Sequence, residues 1–438
     1  MAEVTPFRGI RYHESIALDE VVAPPYDVIP AAQAAALRAR SPHNAVHLDL
    51  PVAPGEAAGD AAYAAAAAAF EGWRAGGALV RDATPTLYLV DQTYRGPDGR
   101  QRTRRGFIAR LRLADFAERV VLPHERTHAG AKVDRLRLYR AAHADLSQIF
   151  LLAPDDDGKV EDALAAAAGA PAGAAREARD GDGNLHRIVP LSGPEVERVV
   201  ALLRERPLYI ADGHHRYETA LAYRDERRAA GDHSADTLMV YLCGMSDPGL
   251  TVFPTHRLVR NVVVPPLAEL RERLQPLFEV MGTPVRGLEA CRGVLDGLGE
   301  QADPGRVFGL YLPHEDVCLI VKSRAPEARR RLVAGGFSPE AAGLSVTVLH
   351  ELVLHEALGM DAGQAERHID YATSVPDALA ALAGGRYALG AFLNATLVSQ
   401  VRALADRGET MPQKSTYFYP KLLTGLVFDA LGDQGLSR

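Results

Sequence analysis

The segment LYIADGHHRYETALAY, Leu208 to Tyr223, restricts the fold more than any other stretch of the chain. A short apolar run, a glycine turn and an amphipathic run follow one another without a gap. Tyr217, Ala220 and Leu221 fall at i, i+3 and i+4, so a helix with one buried face is expected after a strand. A turn placed this way sits at a helix N-terminus, where the first amides lack intrahelical acceptors and the dipole end is positive. That arrangement attracts an anion. Gly213 allows close backbone approach, His214 and His215 add donors, and Arg216 is suited to grip a phosphate with two parallel bonds. Asp212 is suited to hold a metal ion, with Mg²⁺ the expected one, or to orient a histidine. Any one of these residues is common beside a helix cap. Five in succession on a strand–turn–helix point to phosphate.

The rest of the chain sets bounds. It has 438 residues, enough for two or three cores of ordinary size, with 47% hydrophobic and 24% charged residues. Its 49 basic and 56 acidic residues give a net charge of −7, which favours neither nucleic acid nor a membrane surface as partner. The three cysteines, Cys243, Cys291 and Cys318, form no CxxC pair. A disulfide framework or structural zinc site is therefore not expected, and a reducing, cytoplasmic setting fits. MAEVTPFRGIRY has no apolar core of a signal peptide, and the Ala-rich run from Ala57 to Phe70 reads as a soluble helix.

Three segments are expected. Residues 1–114 form a β-rich part with one Ala-rich helix ending near Trp73. Its Pro24–Pro25 pair forbids helix locally, and Thr86–Arg95, GPDGR and RRGFIARLRL make a hairpin. Residues 115–231 form a nucleotide-binding core. Within it, Pro123 starts a helix, Ile149 onward is a strand, and Glu161 to Arg179 is a helix fraying into a loop. Residues 232–438 alternate strands and helices as an α/β lobe.

Other motifs carry chemistry less directly. In LPHERTHAGAKVDR, His124-Glu125-x-x-His128 matches the HExxH pattern of zinc hydrolases. It lies in the first turn after a proline and runs into a polar continuation, so Glu125 as a general base facing a cleft is the alternative, and a surface cap is the bland one. HELVLHE spaces His350 and His355 at i, i+5, which cannot share one α-helical face. GETMPQKST falls short of a P-loop because Gln413 stands where glycine is required. Lys414, Ser415 and Thr416 still suit a phosphate or substrate clamp, or else a packed tail loop. APPYD, with Tyr26 and Asp27, and PTHR, with His256 and Arg257, are loops able to line a substrate pocket, as are His124 and Thr127.

PFRGIRY, VAPPYDVI, GFIARLRL, PHERT with KVDR, ADGHHRYETA, PTHR and MPQKSTYFYPK occur in this order. Together they resemble the domain of unknown function 1015 family over essentially the whole chain. More distantly, ADGHHRYETA is similar to the phosphate-binding box of the ParB/sulfiredoxin superfamily, and PHERT resembles the catalytic-glutamate segment of its free-serine kinases. The resemblance implies an α+β ParB/sulfiredoxin-like core with an N-terminal β-rich segment and a C-terminal α/β lobe. It implies ATP or ADP as cofactor with Mg²⁺, and Glu125 as the catalytic base. Asp212, Gly213, His214, His215 and Arg216 would handle phosphate, and the acceptor would be a small metabolite such as free L-serine. His214 stands where sulfiredoxins carry their cysteine, so thiol chemistry is not implied. A nucleotide-binding switch without turnover and a zinc hydrolase are the competing functions.

Overall fold

The computed structural model describes residues 1–52, 59–127, 129–169, 174–191, 193–300 and 307–432. By their contacts these fall into two units. One holds Met1–Pro123, Thr127–Thr251 and Pro420–Arg438, and the other holds His124–Arg126 and Val252–Tyr419. Composition had suggested boundaries near 114 and 231. Strands from both sides of residue 114 pair in one sheet, because the hairpin supplies a long central strand to which later segments add.

The first unit is built on a nine-stranded mixed sheet. Its main order is Val121–Leu122, Leu208–Asp212, Ile149–Ala153, Thr237–Gly244, Gln101–Arg112, Leu87–Arg95, Leu185–Leu191 and Arg176–Arg179, with Val4–Thr5 pairing Gln101–Arg112. The expected hairpin is present, closed by the Gly-Pro-Asp-Gly turn. Leu208 and Ile210 point into an apolar core with Ile149, Leu151, Val240 and Leu242. The helix His214–Ala229 adds Tyr217 and Ala220 to that core, and Leu221 packs against it. Tyr217 is fixed further by stacking on Phe116 at 5.3 Å and by donating to the Ala114 carbonyl at 2.8 Å. The Ala-rich helix Asp60–Ala75 buries Tyr63, Ala66, Phe70 and Trp73, a 3.6-residue stripe in which alanines fill the remaining turns.

The second unit has a six-stranded sheet in the order Phe278–Arg286, Val317–Ser323, Val307–Leu312, Leu389–Phe392, His256–Val259 and Ile369–Ala372. Its neighbouring pairs are antiparallel, so the molecule as a whole is α+β. Against it pack Leu267–Leu274, Ala325–Ala334 and Leu349–Ala357.

Three local expectations are corrected. The helix after Pro123 begins only at Ala129, because His124 to Arg126 are held in extended backbone beside Met411. Residues Arg176–Arg179, expected as loop, form an edge strand on Leu185–Leu191; parts of that insertion, 170–173, lie outside the described residues. Leu349–Ala357 winds as a π-helix, so the α-helical spacing used to read HELVLHE does not apply. His350 is half-buried there while His355 is largely exposed, so the two histidines face different surroundings. No helix among the described residues is long and apolar enough to cross a membrane.

Candidate functional site

The strand Leu208–Asp212 is buried through Ala211. Its pairing with Ile149–Ala153 shifts register between Ile210 and Asp212, which places Asp212 opposite Phe150. Such a bulge re-aims the side chain that follows it. Gly213 then takes φ +95°, ψ 28° and caps the helix His214–Ala229. A Cβ there would lie 3.0 Å from Arg216 Nη2 in a backbone conformation that L residues rarely adopt, so glycine is required on two counts. The strand–turn–helix expected from the sequence is formed.

The side chains of the box divide by burial. His214 and Arg216 are buried, whereas Asp212, Gly213 and His215 are partly exposed. Arg216 does not project outward as a gripping cation. Its Nη1 donates to the Gln148 carbonyl at 2.6 Å and to Ser147 Oγ at 3.2 Å, so the guanidinium folds back beneath Gly213. Asp212 Oδ2 accepts from Lys421 Nζ at 2.9 Å. An ammonium therefore engages one of the two carboxylate oxygens of Asp212. Among the described residues no group of three or more His, Cys, Asp or Glu could hold a metal ion by themselves.

Further charged groups lie close by in the first unit. Arg135 is buried, donates to Asp49 Oδ1 at 3.1 Å and to the Asp49 carbonyl at 2.7 Å, and lies 3.8 Å from the centre of the Tyr26 ring. Ser147 joins Asp49 to Arg216. Burial pushes the Tyr26 hydroxyl up to about 12, while the nearby Arg135 pulls the other way. Tyr26 thus lies against Arg135, while Asp27 is exposed. Thr127 donates to Glu218 on the box helix at 2.9 Å, and Lys132 pairs with the same carboxylate at 2.7 Å.

The second unit gathers a different set. Met411 N donates to the His124 carbonyl at 2.8 Å, and His124 Nε2 meets Thr416 Oγ1 at 3.1 Å. Arg257 is fully buried on the strand His256–Val259; it donates to the carbonyls of Thr255 and Lys414 and lies 5.5 Å from the Tyr371 ring centre. Burial lowers its pKa to about 10, against the pull of Tyr371 and Glu125. His256 and His350 are held neutral, lowered to about 4 and about 3 by burial and then by the Arg257 charge. The clamp read at Lys414, Ser415 and Thr416 is turned partly inward: Ser415 Oγ donates to the Pro412 carbonyl at 2.6 Å, and Thr416 faces His124. Lys414 sits at φ +53°.

For the zinc pattern, His128 lies outside the described residues. His124 and Glu125 precede the helix, in extended backbone, so the i, i+4 presentation on one helical face is not built. Lys421, Arg135, Asp49, Tyr371 and His350 were not singled out as site residues from the sequence. Lys421 closes the MPQKSTYFYPK motif, Arg135 closes KVDR and His350 opens HELVLHE, so these three carried a signal; Asp49 and Tyr371 carried none.

No curated protein matches the chain. Similar solved structures include a free serine kinase in complex with AMP, at 15% identity over 68% of this chain and 83% of that one, TM-score 0.34. A variant of a free serine kinase in complex with ADP gives 15% identity, 68% and 84% coverage and a TM-score of 0.33. SbnI from Staphylococcus aureus, truncated at its C-terminus, gives 9% identity, 71% and 84% coverage and a TM-score of 0.33. A family model described as "Protein of unknown function (DUF1015)" matches residues 4–345, most of the chain, and the chain belongs to that family.

Proposed function

We propose that this protein is a nucleotide-dependent phosphotransferase that acts on the hydroxyl of a small metabolite, with ATP or ADP as donor. The observation that carries the reading is the turn at Gly213. It hands a buried strand directly to the N-terminus of a 16-residue helix, where the first amides lack intrahelical acceptors. Phosphates would rest on the amides of Gly213 to Arg216, with His215 at the exposed side.

In the transfer, the acceptor oxygen forms a bond to the terminal phosphorus as the bond to the nucleotide's bridging oxygen breaks. The acceptor's proton goes to a base. Glu125 is assigned that role on the resemblance of PHERT to the kinase glutamate segment. Free L-serine is the acceptor that the same resemblance suggests. Such a reaction depends mostly on positioning and charge neutralisation, which a dipole end and fixed cations supply. No step is routed through a metal at Asp212.

The test is incubation with ADP or ATP and a pool of hydroxyl metabolites, including L-serine, followed by mass analysis for a phosphorylated product. Glu125→Gln should lower turnover by about 10²–10⁴-fold, the usual worth of a positioned base, and leave nucleotide affinity nearly unchanged. Full turnover in Glu125→Gln would remove Glu125 as the base. Nucleotide binding without any product would leave a binding switch in place of an enzyme.

A further inference from the structure

Arg216 keeps its charge but turns its Nη1 inward to the Gln148 carbonyl, so a cation facing the exposed side of the box is to be sought elsewhere. Lys421 is at that place. Its Nζ is 2.9 Å from Asp212 Oδ2, at the point where the strand ends and the helix begins, and both side chains keep a margin of exposure, 15% and 23%.

The backbone around Lys421 is pinned to an unusual degree. Arg104, fully buried, lies 4.5 Å from the ring centre of Phe150, the residue opposite Asp212, and donates to the Pro420 carbonyl at 2.6 Å. Its Nε donates to Gln92 Oε1 at 3.1 Å. Gln92 Nε2 in turn donates to the Lys421 carbonyl at 3.1 Å and meets His186 Nδ1 at 3.1 Å, while His186 Nε2 meets Asp180 at 2.9 Å. Two residues on, Gln148 Nε2 donates to the Leu423 carbonyl at 3.0 Å, and Thr424 pairs with Ala23. Burying a guanidinium and an imidazole in a polar chain costs desolvation. A partly exposed ion pair returns little stability. The arrangement is therefore better suited to fixing where one ammonium stands than to holding the fold together.

We infer that Lys421 is a phosphate-binding residue of the box, aimed by Asp212 and held in place by the Arg104–Gln92–His186 chain. It supplies at Asp212 the positive charge that the sequence had led one to expect from a metal ion. An ammonium carries three donors, so a nucleotide's phosphate and Asp212 can share it. Arg104, Gln92 and His186 are positioning residues: they touch the backbone that carries Lys421. The inference rests on the box being a nucleotide site, as proposed above.

The experiment is calorimetric titration of the full chain with adenosine, AMP and ADP, for the unaltered protein, Lys421→Ala and Lys421→Arg, with melting temperatures alongside. Lys421→Ala should weaken ADP by about tenfold or more, AMP by less, and adenosine by less than about twofold, at an unchanged melting temperature. Lys421→Arg should recover most of the loss. An equal loss for all three compounds with a lowered melting temperature makes the pair structural and overturns the inference, as does no loss at all. Both results leave the nucleotide site standing. If the unaltered chain binds none of the three, the nucleotide reading itself fails and takes Lys421 with it.

Discussion

Two buried arginines, Arg135 in the first unit and Arg257 in the second, are held in opposite ways. In the first unit Arg135 meets the carboxylate of Asp49, although Arg104 and Arg216 there rest on neutral acceptors. In the second, Arg257 is buried with its donors on backbone carbonyls, and two neutral histidines stand close enough to feel its charge. Paired charge holds its geometry because removing either partner strands the other. A cation resting on carbonyls leaves only ordinary acceptors behind when it is removed. The Arg135 pair is thus the more rigid of the two electrostatically, and Arg257 is the more adjustable.

Unfolding measurements on buried arginines test this contrast most severely. Arg135→Met should destabilise the protein by about 3–5 kcal/mol, because Asp49 would be left buried without its cation. Arg257→Met should cost about 1–2 kcal/mol, for the two carbonyls it abandons. Equal losses in denaturant titrations would erase the distinction. Between these lies Gly213→Ala, expected to cost about 1–3 kcal/mol from backbone strain at φ +95° and the approach of Arg216, and to weaken nucleotide binding with it. A fully stable Gly213→Ala protein would show that the turn can be rebuilt, and would sever it from the anion site.

The smallest effects are in pH, and they have opposite signs. Burial and the neighbouring Asp429 charge push Asp145, in the first unit, up to about 7 from 3.8. The native state then holds the proton more tightly, so this residue's contribution is largest at low pH and is lost as pH rises towards 7. His256 and His350 are lowered below 6.5, so the unfolded chain binds their protons more tightly, and their contribution falls as pH drops from 6.5 towards 4. Asp145→Asn should therefore improve the melting temperature at pH 7 relative to pH 4.5. His350→Gln should do the reverse. Parallel shifts in both variants would contradict the assignment of burial as the cause.

The box was legible because its parts are contiguous. An apolar strand, a glycine and an i, i+3, i+4 stripe in one stretch prescribe a strand–turn–helix with little help from the rest of the chain. The hairpin at Leu87–Arg112 and the Ala-rich helix at Asp60–Ala75 were readable for the same reason. What each side chain does there was less legible. Arg216 looked like the gripping cation, and its use on the Gln148 carbonyl depends on a segment more than 60 residues away in sequence.

Local pattern by itself determined where the strand–turn–helix lies, and that residues around it carry positive charge, since strand, turn and helix preferences act over a few neighbours. Tertiary structure alone decided which cation answers Asp212 and which is buried beneath Gly213. It also decided the extended backbone at His124–Arg126, where pairing with Met411 outcompetes the helix start that Pro123 advertises. Those outcomes are set by desolvation and by hydrogen bonds between segments distant along the chain, and such energies leave no periodic mark in the order of residues.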